Sequence, residues 1–167
     1  MQEYYKTYLQ KEKDGALVKE DIRDFGMYCM ELPFKTGWQA KELTSRDWAE
    51  EDGKEVYVPS ELKMQQYTLK AKFGCKGEKY SANKIIKTFL DYLAGKDGSG
   101  VYLKIYSEYT RQGRQHVRFS NLSDDATLVR NDDDGDILVI EMEFIIDDPT
   151  TDISPVKDKD GKVTKLA

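Results

Sequence analysis

Residues 64–75, MQQYTLKAKFGC, decide the fold class of this chain. Side chains on one face of the segment are apolar or aromatic and those on the other face are polar or cationic, at a period of two. The first set is Tyr67, Leu69, Ala71, Phe73 and Cys75, and the second is Thr68, Lys70 and Lys72. Strict alternation is typical of a strand with one face in the core. The segment therefore predicts a long, half-buried β-strand.

The segment 136–147 repeats this alternation near the other end of the chain. One face carries Leu138, Ile140, Met142, Phe144 and Ile146, and the other carries Val139, Glu141, Glu143 and Ile145. Shorter or less regular strand patterns occur at 16–18, 25–34, 101–109, 115–120 and 126–130, with a turn expected at 111–114. Gly-containing turns between them favour antiparallel pairing.

One helix is predicted between the strands, over about residues 82–94. Its apolar stripe at helical spacing is Ile85, Ile86, Phe89, Leu90 and Leu93. Ser81 is placed to cap its first turn and Gly95 to end it. A lone helix joining two runs of strands indicates an α+β domain, mainly an antiparallel β-sandwich or a partly open barrel with one flanking helix.

The domain organisation expected from these patterns is a single β-rich domain over 1–149. Residues 1–14 are polar and lysine-rich, with Tyr4, Tyr5 and Tyr8, and are expected to form a short helix or an N-terminal arm. Residues 150–167 show no apolar pattern and are expected to form a flexible charged tail.

Composition excludes several classes of protein. The chain has 167 residues and a formal net charge of −5, so general affinity for nucleic acid is not expected. The first residues, MQEYYKTYLQ, lack the apolar core of a signal peptide, so no leader is expected, and no apolar run is long enough to cross a membrane. Cys29 and Cys75 lie in strand-like runs and are expected to be reduced core thiols in a reducing compartment, although a disulfide between neighbouring strands remains open.

No pattern indicates an active site, a metal site or a cofactor. The acidic turn Asp132, Asp133, Asp134 would put Arg130 at the first ligand position of a calcium loop, where a carboxylate is required. The one histidine, His116, could act as the base of a catalytic triad, but the sequence contains no Gly-x-Ser-x-Gly nucleophile motif. The chain is therefore expected not to be an enzyme and to hold no metal.

Charge is divided unevenly along the chain. Residues 63–118 carry twelve Lys/Arg against four Asp/Glu, and residues 124–148 carry ten Asp/Glu against one Arg. One interpretation is pairing between neighbouring strands. The other is head-to-tail contact between subunits, with Arg111 and Arg114 of one copy meeting Asp132, Asp133 and Asp134 of the next.

Two tryptophans, Trp38 and Trp48, fall in a long loop-like region between strands. Large aromatic residues there serve as interface anchors or hold the loop on the core. Together with the tyrosines they also allow a different function, a ligand- or carbohydrate-binding β-module. Clustering of the rings in one groove would favour that alternative.

The stretch DFGMYCMELPFKTGWQAKELTSRDWAEEDGKEVYVP, residues 24–59, resembles the opening of phage and prophage tail proteins of the distal-tail and tail-tube type. In those proteins a first strand and a long loop lead to an Arg-Asp-x-x-x-x-Asp-Gly segment, whose place is taken here by Arg46-Asp47-Trp48 and Asp52-Gly53. The order of long strand, helix and closing strands before Asp148-Pro149 also matches, so the resemblance covers about residues 22–150.

The resemblance implies a non-enzymatic β-sandwich or barrel protein that assembles into hexameric rings around a DNA-conducting lumen. Its implied partners are other copies of itself and other tail proteins, with no membrane and no specific nucleic-acid binding. Its implied location is the cytoplasm during assembly and the virion tail afterwards. The segments 1–14 and 150–167 have no counterpart in this resemblance.

Overall fold

The computed structural model describes residues 4–34, 38–123, 127–133 and 135–167, with the backbone alone for 127–132. The first half contains β1 (Thr7–Lys11), β2 (Val18–Glu20), α1 (Asp21–Phe25), β3 (Met27–Glu31), β4 (Ser45–Arg46), β5 (Glu55–Val56), β6 (Tyr67–Gly77) and α2 (Ala82–Ala94). The second half contains β7 (Leu103–Ser107), β8 (Gln112–Leu122), β9 (Thr127–Asp132), β10 (Gly135–Ile146), β11 (Pro155–Lys157) and β12 (Val163–Leu166).

Eight strands form one antiparallel sheet in the order β2-β1-β7-β8-β10-β6-β3, with β9 also paired to β10. Its centre is the β6–β10 ladder, which runs from Asp136 opposite Gly77 to Ile146 opposite Tyr67. These are the two strands with the clearest alternation in the sequence. The predicted α+β class and antiparallel architecture are confirmed, with an open sheet rather than a closed barrel.

Helix α2 covers the apolar face of the sheet. Phe89 and Leu93 are fully buried, and the Phe89 ring lies 5.1 Å from the Phe73 ring on β6. The predicted cap by Ser81 is wrong, because that side chain makes no cap bond. Instead the Asp136 carboxylate, from β10, accepts a hydrogen bond from the Ala82 backbone N–H at 3.1 Å. The helix start is thus fixed by a strand that is distant in sequence.

A buried lysine lies at the C-terminal end of α2. Lys11, on β1, is 3 % exposed, and its Nζ donates to the carbonyl oxygens of Tyr92 and Gly100, at 2.6 Å for the latter. The same Nζ lies 4.4 Å from the centre of the Tyr92 ring. Because burial disfavours the charged form, the pKa of Lys11 falls to about 8.

This lysine predicts a distinctive pH profile. Between about pH 8 and pH 10 the unfolded chain keeps the Lys11 proton while the folded chain has lost it, so the free energy of unfolding should rise with pH. The rise is at most about 3 kcal/mol. In Lys11→Met it should be absent, and in the exposed control Lys96→Met it should persist. Urea titrations from pH 7 to 9.5 measure this; equal profiles for the two variants would contradict the assignment.

Both ends of the chain are more ordered than the sequence indicates. Residues 7–11, expected in an arm or a short helix, form β1 inside the main sheet, and Leu9 is fully buried. The expectation of a flexible tail over 150–167 is wrong. That segment folds as the β11–β12 hairpin, and Leu166 is fully buried.

The C-terminal hairpin covers the outer face of β1 and β7. Its Ile153, Val163 and Leu166 pack with Tyr8 and Tyr106 in a second apolar cluster, separate from the main core. Strands β1 and β7 are therefore buried on both faces.

Two further details differ from the sequence prediction. A second helix, α1, joins β2 to β3 and ends at Gly26, whose φ of 67° lies in the left-handed region that glycine favours. The turn expected at 111–114 lies at 108–111, and β8 already includes Gly113 and Arg114. In the described residues, two helices thus accompany the main sheet, and the last strand ends at residue 166.

Candidate functional site: a hairpin arm and a tyrosine groove

A long hairpin projects from the domain between β3 and β6. We call residues 39–65 the hairpin arm. At its base the Gln65 N–H donates to the Gln39 carbonyl at 2.7 Å and the Lys41 N–H to the Lys63 carbonyl at 2.8 Å. Further out β4 pairs with β5, and the turn beyond them carries Trp48. The arm is therefore held by bonds within itself.

The hairpin arm displays apolar side chains to solvent. Every residue from 41 to 63 is exposed except Leu43 and Pro59, which are half-buried. The large exposed side chains are Trp48, Val56, Tyr57, Val58 and Leu62, of which Tyr57 is 72 % and Val58 68 % exposed. An apolar surface of this extent is typical of an interaction site.

A second exposed apolar surface lies where the two ends of the main sheet approach each other. Asp21 joins them: its carboxylate accepts hydrogen bonds from the Thr7 N–H on β1 at 3.4 Å and the Cys29 N–H on β3 at 3.2 Å. It also accepts from the Tyr4 hydroxyl. Because Asp21 is fully buried, its pKa is raised. Beyond this junction the sheet stays open.

The opening forms a groove of about 760 Å³, which we call the tyrosine groove. It is lined by the start of β1, by β3 with the residues that follow it, and by the end of β7 with its turn. The tyrosines are Tyr4, Tyr5, Tyr28 and Tyr109, with Met30 and Pro33 beside them. Two edge-to-face pairs, Tyr4 with Tyr28 at 5.6 Å and Tyr5 with Tyr109 at 5.2 Å, hold the rings in place.

Cys29 lies in the groove lining, and Cys75 is buried on the neighbouring strand; both are free thiols. Burial raises the pKa of the Cys29 thiol to about 12. At neutral pH it is therefore protonated and a poor nucleophile.

The two tryptophans named from the sequence lie at the hairpin arm. Trp38, 59 % exposed, directly precedes its base. Trp48, 48 % exposed, lies near its tip, where its indole N–H donates to the Glu55 carboxylate at 3.1 Å. Neither lines the tyrosine groove, so the aromatic residues of the chain divide between two surfaces.

The two arginines named from the sequence differ in environment. Arg111 is exposed in the turn between β7 and β8, directly after Thr110 of the groove lining. Arg114 is only 4 % exposed, and its guanidinium donates to the Asp152 carboxylate and packs over the Phe34 ring. Its charge is thus paired within the chain, next to the C-terminal hairpin, and a subunit contact of Arg114 stays a prediction.

The acidic turn is described in part. Asp132 ends β9, and only its backbone is described, while Asp134 lies outside the described residues. The Asp133 carboxylate lies 3.6 Å from the Lys79 Nζ of the same chain. A contact of this turn with another subunit stays a prediction.

The residues considered for catalysis form no recognisable active site. His116 bonds to Glu12 through its backbone N–H at 3.0 Å and its ring Nδ1 at 2.7 Å, and its ring packs on Tyr102. Among the described residues, no three His, Cys, Asp or Glu side chains are grouped to hold a metal ion. Within the same ranges, no helix is both long and apolar enough to cross a membrane.

Comparison with known proteins finds similarity in the fold alone. No protein-family model and no curated protein matches the sequence. The structure is similar to the crystal structure of SPP1 Dit, described as a paradigm of the hub adsorption apparatus in phages that infect Gram-positive bacteria. The TM-score is 0.57 at 13 % sequence identity.

The alignment covers 89 % of this chain and 52 % of that protein, so this chain spans about half the length of its structural neighbour. The predicted likeness to phage tail proteins is thereby confirmed at the level of the fold.

Proposed function

We propose that this chain is a non-enzymatic structural subunit of a phage or prophage tail-like assembly, in which copies associate head to tail. The hairpin arm carries this proposal, because it holds exposed aromatic and aliphatic side chains away from the core of its own chain. The fold shared with SPP1 Dit supports a structural role in a tail.

In the proposed assembly the subunits form a closed ring, for which the family resemblance suggests six copies, and the ring binds other tail proteins. Contact between two different surfaces of one chain generates rings when the rotation closes and filaments when it does not. The arm provides one such surface. The proposed location is the cytoplasm before assembly and the virion tail afterwards.

Native mass spectrometry tests self-association. Across a concentration series at low salt, the wild-type chain should give a closed oligomer, with six copies as the expected number. Trp48→Ala combined with Tyr57→Ala should weaken this association at least about 100-fold, because buried aromatic anchors contribute about 2 kcal/mol or more each. Leu17→Ala, at a residue 73 % exposed and outside both surfaces, is the matched control.

A wild-type chain that stays monomeric at every concentration would contradict the self-assembly proposal. Equal association of the arm variant and the Leu17→Ala control would show that another surface makes the contact.

The tyrosine groove favours a second candidate function, the ligand- or carbohydrate-binding β-module. Four tyrosines cluster in one groove, and a volume of about 760 Å³ is within the usual range for ligand sites. Against this reading, the two tryptophans lie outside the groove lining, and the Tyr4 hydroxyl is already bonded to Asp21. The structural role is therefore the better-supported function.

A further inference from the structure

We infer that the tyrosine groove is the receiving site for the hairpin arm of a second copy of this chain. The inference rests on the proposed function and names the surface that the arm contacts. It follows from the open sheet edge, the matched apolar areas of the two surfaces, and their charges.

The groove borders a sheet edge that no further strand of the described chain covers. In the described part of the chain, β3 is the last strand on its side of the sheet, and the strand order ends there. An exposed edge is a template for pairing with an extended segment of another chain. On the arm, the short strand β5 (Glu55–Val56) is followed by Tyr57 and Val58, and three apolar side chains here, Val56, Tyr57 and Val58, are exposed.

The two surfaces have similar apolar areas. The groove side presents Tyr4, Tyr5, Tyr28, Met30 and Tyr109, which are 39–74 % exposed. With roughly 200 Å² for a large side chain, these five present about 500 Å², and the five of the arm present about the same. Together they reach about 1,000 Å², and a polar rim around them brings the total to the lower end of the range for specific interfaces.

The charges of the arm turn and of the turn beside the groove are opposite, which favours contact between the two surfaces. The turn of the arm carries four exposed carboxylates, at Asp47, Glu50, Glu51 and Asp52. Arg111 is exposed beside the groove, and the acidic side chain in the lining, Glu31, lies 3.6 Å from Lys72. An acidic tip that approaches Arg111 gains attraction and a defined orientation.

The occupant is a second copy because no residue of the arm lines the groove of its own chain, where the arm is exposed to solvent. The groove and the arm are two different surfaces of one molecule, so each copy can give its arm to one neighbour and receive an arm from another. Such a contact is heterologous, as the proposed ring requires.

Site-directed cross-linking tests the inference. Ser60→Cys, at an exposed residue of the arm outside its large apolar side chains, is combined with Thr110→Cys in the groove lining, and a short bis-maleimide is added under conditions in which the wild type assembles. The matched control combines Ser60→Cys with Leu17→Cys; all three replaced residues are exposed. Circular dichroism and thermal melting verify that both double variants fold.

The arm–groove pair should give covalent oligomers at a yield at least tenfold above the control. Equal yields would overturn the inference. Oligomers seen by native mass spectrometry without arm–groove cross-links would also overturn it while leaving the proposed self-assembly intact. Protection of a thiol in the single Thr110→Cys variant by cellohexaose, at protein concentrations without assembly, would overturn it in favour of the saccharide-binding function.

Discussion

Leu166→Ala is expected to lower the free energy of unfolding by about 3 kcal/mol, within the range measured for fully buried leucines. Leu166 has no exposed surface, and it packs with Ile153 and Val163 of its own hairpin against Tyr8 and Tyr106 of the main sheet. Truncation to alanine removes this burial and leaves a cavity between the hairpin and the sheet. Urea-induced unfolding, followed by circular dichroism, measures the loss.

The neighbouring residue supplies the control. Lys165 is exposed, so Lys165→Ala should change stability by less than about 0.5 kcal/mol. Limited proteolysis gives a second readout, since cleavage after the lysines of the hairpin should be slow in the wild type and fast in Leu166→Ala. Indistinguishable stability of the two variants would mean that residues 150–167 do form a flexible tail, as the sequence pattern alone predicts.

The C-terminal hairpin has no regular apolar pattern, and for this reason the sequence did not predict it. Apolar residues in 150–167 are isolated between charged and polar ones, so the segment gives neither a helical nor a strand period. These apolar residues cover strands β1 and β7. The two strands begin at Thr7 and Leu103, which lie 146 and 50 residues before Ile153. A short hairpin that folds against a distant surface leaves little local signal.

Elements with strong local patterns were predicted with nearly correct bounds. Alternation predicted β6 and β10, and helical spacing predicted α2 over the same residues that the structure assigns to it. The cap of that helix was wrong because Asp136, from a strand paired far along the chain, takes the place of Ser81. Local periodicity specifies an element, whereas long-range pairing decides which polar group caps its first turn.

In the candidate site too, the local sequence indicated one part and gave no sign of the other. The loop with Trp38 and Trp48 was correctly recognised as lying outside the regular strands, and both residues are exposed at the hairpin arm. The tyrosine groove was missed, because its lining combines residues 4–7, 28–33 and 107–110, which no sequence period relates. Tyr4, Tyr5 and Tyr8 stood out as a cluster, yet two of them face the groove and Tyr8 faces the C-terminal hairpin.

Asp21→Ala is expected to be at least as destabilising as Leu166→Ala, at about 3–4 kcal/mol. The fully buried Asp21 carboxylate accepts from the backbone N–H groups of Thr7, Cys29 and Ile22 and from the Tyr4 hydroxyl. Alanine leaves these donors without their acceptor, at about 1–3 kcal/mol for each one that stays buried and unpaired. Removal of a buried carboxylate offsets part of this loss, because its own desolvation is unfavourable.

Asp21→Asn separates charge from hydrogen bonding. The amide keeps the side-chain volume and one acceptor oxygen, so its cost should be smaller, about 1–2 kcal/mol. Burial raises the Asp21 pKa above its unfolded value, so the folded wild type binds more protons as the pH falls through the folded pKa and gains stability from this group. The asparagine variant has no such gain. The stability difference between them should therefore widen from pH 7 towards pH 4, and a constant difference would contradict a buried, titrating Asp21.

Asp21 also links the stability of the fold to the proposed docking site. Its bonds to Thr7 on β1 and Cys29 on β3 hold two strands together at residues that line the tyrosine groove. If the groove receives an arm, Asp21→Asn should weaken assembly by less than Trp48→Ala with Tyr57→Ala, because the asparagine retains an acceptor between the strands. Weaker assembly than in the arm variant, in a protein that still folds, would contradict the arm as the main contact between subunits.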